Sequence, residues 1–199
     1  MKKTIRSIVA ENDKIIKATF DSRIRALLKQ LQEDPSDYEF IIARHTKILK
    51  KAIESTIANS FSQVSKLAST IGKSDPGIYV KLVSDMADWR AHMAKLFNEY
   101  KKSLLNLSNT GLMADGISSA RSGILRRVRL LNNYLSSRIY NEYILSLAIE
   151  GGEGKIFIRL SPLHSKPDEC DAIAGEYKLG QEPQLPIHYN CMCYYERAK

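Results

Sequence analysis

The chain has 199 residues, 44% of them hydrophobic and 26% charged, with a formal net charge of +8. That balance excludes a disordered chain and fits one ordinary domain, or one domain with a small appendage. No apolar run approaches the roughly 18 residues that span a bilayer. Glu11, Asp13 and Lys14 interrupt the start where a secretion signal would be most apolar, so no signal is expected.

In chain order, the first predicted element is a helix over residues 2–33. Ile5, Ile8, Val9, Ile15, Ile16, Phe20, Ile24, Leu27, Leu28 and Leu31 recur at threes and fours, the signature of an amphipathic helix. Asp34-Pro35 breaks it, because proline lacks an amide hydrogen and disfavours helix in the residue before it. A second helix is expected from Ser36-Asp37-Tyr38-Glu39, which reads as a capping box, through Ile41, Ile48, Ile53, Phe61 and Val64 to Gly72. A third opens at Asp75-Pro76 and continues past Trp89, Met93, Leu96 and Tyr100 to about Leu107. Trp89 and His92 read as core and flank. Asn109 to Gly111 is a stop signal. The fourth covers residues 114–150, with Gly116 and Gly123 weakening its first turns, and Gly151-Gly152-Glu153-Gly154 ends it.

A 30-residue helix is about 45 Å long at about 1.5 Å per residue. Residues 1–150 are therefore read as an elongated bundle of four long helices, in a mainly α chain. Helices of this length often pack against other chains, so a homo-oligomer is expected. The remainder, residues 151–199, reads as a small C-terminal α+β module. Lys155-Ile156-Phe157-Ile158-Arg159-Leu160 alternates like a strand, and 193–197 is a second strand to pair with it. Between them, 168–177 is predicted as one helix of two or three turns, and 179–186 as turn-rich loop. A module of about 45 residues is too small for its core alone to hold it, so a staple or docking onto the helices is required.

All three cysteines and two of the four histidines fall in that module. The candidate metal ligands are His164, Cys170, His188, Cys191 and Cys193. Zinc takes four N/S ligands in a tetrahedron, and His188-x-x-Cys191 brings two together across one tight turn. Cys191 and Cys193 would point to opposite faces of a strand, so they share an ion only if the backbone turns there. Otherwise His164 is the better fourth ligand. A structural Zn2+ would supply folding energy that the small core lacks. Three buried thiols without metal, or a disulfide, are the alternatives. Asp168, Asp171, His164 and His188 can also be read as a hard-metal site that activates water, as in a nuclease. Acidic residues at a helix start are equally explained by the helix dipole.

The charge is unevenly placed. Residues 1–160 carry 26 Lys and Arg against 16 Asp and Glu, and residues 161–199 carry 4 against 6. A basic helical body favours polyanions such as nucleic acid or an acidic protein surface. Arg121, Arg126, Arg127, Arg129 and Arg138 form a broad basic collar on the fourth helix, able to grip phosphates without sequence specificity. A solvated helix face explains it as well.

The pattern His164-x-x-Pro167-Asp168-x-Cys170-Asp171-x-x-Ala174-Gly175, then Pro186-x-His188-x-x-Cys191-x-Cys193, resembles the C-terminal signature of the phage Mu protein F-like family of minor head proteins, also called phage head morphogenesis proteins. It spans about 30 residues. Ile173 stands where many members carry a second cysteine, and Met192 where many carry arginine. The resemblance implies a helical region before the module and a non-enzymatic minor capsid protein, present in few copies near the portal vertex. Its implied partners are the portal or other head proteins and packaged double-stranded DNA. Its implied place is the virion, after assembly in the host cytoplasm.

Overall fold

The computed structural model describes residues 5–69, 76–107, 113–162, 164, 166–188, 191 and 193–198. Four long helices come first: α1 (Ile5–Glu33), α2 (Tyr38–Ser69), α3 (Pro76–Leu107) and α4 (Met113–Glu150). The module follows as β1 (Lys155–Arg159), the short helix α5 (Glu169–Ile173), β2 (Gly175–Lys178) and β3 (Tyr194–Arg197). The chain is thus mainly helical with a small C-terminal strand region. The expected helix start at Lys2–Thr4, the end at Gly72, the cap at Asp75 and the stop at Asn109 to Gly111 lie outside the described residues.

The chain divides into two compact units. One comprises Glu11–Asn59 and Asp85–Arg129, and its regular elements among the described residues are helices. Its core is the apolar set that recurs at threes and fours: Ile16, Phe20, Leu27, Leu49, Ile53, Leu96 and Phe97 are buried. Each such side chain contributes about 1.5–3 kcal/mol on leaving water. Phe20 stacks on Phe97 with ring centroids 6.5 Å apart, and Phe97 meets Tyr100 edge-on at 6.3 Å. The Tyr38 hydroxyl donates to the carbonyls of Leu104 and Leu105, 2.9 and 2.7 Å away. Those carbonyls lie in the last turn of α3. Gly116 is also a packing position: a Cβ there would meet the Leu107 side chain.

The capping box expected at Ser36 does not form. Pro35–Asp37 is a 3₁₀ turn ahead of α2, without a side-chain cap, and the Ser36 hydroxyl bonds to Asp34 Oδ1 at 2.7 Å. The proline holds its neighbours in the tighter turn, so the helix begins at Tyr38.

The other unit joins Met1–Ala10, Ser60–Ser84 and Leu130–Lys199. In it the C-terminal half of α4 runs into the module. A left-handed glycine at Gly152, φ +66°, terminates α4 in a Schellman motif: Gly152 N donates to Ile149 O and Glu153 N to Ala148 O, both at 3.0 Å. The sheet order is β2-β1-β3 with both pairings antiparallel. The pairing of β3 with β1 follows the sequence expectation, with Ile158 opposite Tyr195. The expected helix over 168–177 is a correction: α5 stops at Ile173, Ala174 is extended, and 175–178 forms β2 instead. Backbone pairing with β1, Phe157 opposite Glu176 and Ile158 opposite Gly175, overrides the local pattern.

Ile156 and Ile158 point inward from β1 and pack with Ile144 and Ala148 of α4, Leu185, Tyr195 and all three cysteines. The module therefore completes its core against α4. The opposite face of β1 is solvated. There Lys155 and Arg159 flank the Phe157 ring and pair with Glu176 and Glu196.

Candidate metal centre

Three segments deliver the thiols and the imidazole. Asp168 caps α5: its Oδ1 accepts from Cys170 N at 2.7 Å, while Asp171 Oδ2 accepts from Asp168 N at 2.7 Å. This reciprocal box fixes the first turn and leaves Cys170 1% exposed. Cys191 N donates to His188 O at 3.0 Å. Cys191 is 1% and Cys193 2% exposed. β3 begins only at Tyr194, so strand alternation does not force the last two thiols apart.

Cys170 Sγ lies 3.2 Å from His188 Nε2 and 3.6 Å from Cys191 Sγ. The ligand atoms of Cys170, His188 and Cys191 all fall within 4.8 Å of one another, so this group can hold a metal ion. A tetrahedral zinc with bonds of about 2.3 Å to sulfur places two sulfurs roughly 3.8 Å apart, close to the spacing here. Cys193 is buried in the same core, beside the group of mutually close ligand atoms formed by Cys170, His188 and Cys191. The donor set of that group, two soft sulfurs and one imidazole nitrogen, suits a metal ion that takes N/S ligands.

The electrostatics of the thiols agree with that chemistry. Cys193 donates to Cys191 and holds its thiol well below the ordinary range, against the opposing effect of burial. Burial pushes Cys170 up, and donation to Cys191 with burial pushes Cys193 up. A cation that binds thiolates displaces thiol protons.

His164 sits beside this centre in a second group with Asp168 and Asp171, whose ligand atoms also lie within 4.8 Å of one another. Its Nε2 is 2.8 Å from Asp171 Oδ2 and 3.8 Å from Asp168 Oδ1. The hydrogen bond to Asp171 raises the His164 pKa. The Asp168 backbone amide, then His164, lowers that of Asp171, and the Cys170 backbone amide lowers that of Asp168. Both carboxylates are already engaged as the cap of α5. Asp168 Oδ2 also approaches His188 Nε2 at 3.5 Å, so the two groups touch.

Of the collar arginines, Arg121 pairs with Asp21, Arg127 with Glu99 at 2.6 Å, and Arg129 with Asp13 at 3.0 Å. Each pair joins α4 to α1 or α3 and partly neutralises the basic face. Arg126 is exposed and Arg138 half-buried.

Asn141 of α4 escaped sequence reasoning. Its side chain is 1% exposed; Nδ2 donates to Cys193 O at 3.0 Å, and Oδ1 accepts from Tyr195 N at 2.9 Å. A signal existed. Asn141 shares a helix face with Ile144 and Ala148, which pack into the core of the module, and a lone amide on an apolar stripe implies a specific buried partner.

No known family, no curated protein and no solved structure matches this chain.

Proposed function

We propose that the chain is a non-enzymatic minor head protein of a phage, whose C-terminal module folds around one structural Zn2+ held by Cys170, His188, Cys191 and Cys193. One observation carries this reading: the residues that bear the head-protein signature are the ones whose thiols and imidazole converge in the module core. A site closed by four N/S ligands is structural, whereas catalytic zinc keeps a position open. His164 turns to Asp171 and the two carboxylates cap α5, which supports a scaffold over a hydrolase. The long helices serve contacts with the portal, with other head proteins or with further copies of the chain in the virion, after assembly in the host cytoplasm. Electron microscopy of heads carrying a labelled copy tests this. Label at the portal vertex, and defective heads on deletion, are the expected results; label elsewhere with normal heads on deletion contradicts them.

A second reading is sequence-independent binding of double-stranded DNA, favoured by the net charge of +8. It predicts affinity falling steeply with salt. Because Arg121, Arg127 and Arg129 already hold carboxylates, the salt slope should correspond to few released counterions. Absent or salt-insensitive binding rejects it.

A further inference from the structure

All four proposed ligands lie in the tail, yet the backbone carrying the last of them is held by α4. Asn141 bonds to Cys193 O through its amide nitrogen and to Tyr195 N through its amide oxygen. One residue of a parallel neighbouring strand would make this same pair of bonds. The side chain thus acts as a one-residue strand along the edge of β3. Its reach extends beyond Cys193. The Tyr195 hydroxyl donates to Pro183 O at 2.7 Å and accepts from Leu185 N at 3.3 Å, which ties down the loop leading to His188.

We infer that Asn141 is a positioning residue of the metal centre: it sets the backbone that presents the Cys193 thiol and, through Tyr195, the loop that presents His188. α4 is then part of the site, although it supplies no ligand. Metal loading and docking of the tail on α4 are coupled, and the coupling is reciprocal. The inference rests on the metal reading of the module.

The test uses the full chain with Co2+ as a spectroscopic probe and Zn2+ in competition with a chelator. Asn141→Ala and the milder Asn141→Ser are compared with Ser136→Ala. Ser136 is also buried on α4, and its hydroxyl faces Ser60 Oγ at 3.3 Å. Replacing Asn141 should weaken Zn2+ binding roughly 10- to 100-fold, the range seen when a supporting residue around a metal is lost. It should also change the Co2+–thiolate absorption bands. Ser136→Ala should lower the melting temperature while leaving affinity and bands as in wild type. If Asn141→Ala does not fold, Asn141→Ser decides. Wild-type affinity and bands in the folded Asn141 variants overturn the inference and leave the metal reading standing. A wild-type chain that binds neither Zn2+ nor Co2+ removes both.

Discussion

At the scale of single residues, the Cys/His cluster was legible because its ingredients are rare. Three cysteines and two histidines within one short tail form a pattern that solvated surface does not produce by chance. Spacing alone could not choose between His164 and Cys193. That choice depends on where β3 begins and on which group His164 faces, both long-range outcomes. Asn141 was invisible for a related reason, since its partners are backbone atoms 52 and 54 residues away.

His45 gives a prediction of pH dependence. Burial, with a smaller contribution from Arg23, lowers its pKa to about 4. Its Nε2 has no hydrogen-bond partner among the described residues, and its ring lies 6.3 Å from that of Tyr100. The folded chain thus resists a proton that the unfolded chain accepts near pH 6.5. Stability is full above pH 6.5 and is lost as pH falls towards 4, by about 3 kcal/mol in all. Urea unfolding at several pH values, with chelator present, should show this slope, and His45→Leu should flatten it. An unchanged slope in His45→Leu would assign the acid sensitivity to other groups.

At the scale of elements, the four helices were legible because a 3.6-residue period sustained over some thirty residues leaves little freedom of interpretation. β2 was not. Its four residues carry no strong strand signal, and it exists because β1 offers an edge to pair with. The capping box at Ser36 failed because Pro35 imposes a 3₁₀ turn first. The glycine run after α4 was read as the end of the helix and a hinge or domain boundary; within it Gly152 has a defined task in the Schellman motif. Gly152→Ala should destabilise the chain by about 1 kcal/mol, the order of cost of a left-handed conformation in a residue with a Cβ. Gly154→Ala should be nearly neutral, since nothing lies within 4 Å of the added Cβ. Chemical denaturation of the two variants side by side checks the pair. Equal losses would mean that the left-handed turn is not what holds the end of α4.

At the scale of the whole molecule, periodicity disclosed a mainly helical chain, and the small size of the tail disclosed its need for outside support. The structure answers that need with the core shared with Ile144 and Ala148, and it gathers Cys170, His188 and Cys191 where a metal ion can be held. The charge was legible as a total but not as an arrangement, because ion pairs between helices depend on which faces meet. The proposed place in a phage head rests on a signature of about 30 residues, and the proposed chemistry of those residues rests on zinc. Elemental analysis of the purified chain addresses that most directly, with Cys170→Ser and Cys191→Ser alongside. A metal-stapled module predicts one tightly held zinc per chain in the wild type, none in either variant, and loss of amide protection in β1 and β3 when zinc is removed. A wild-type chain without zinc whose strands stay fully protected in the presence of a strong chelator would contradict it.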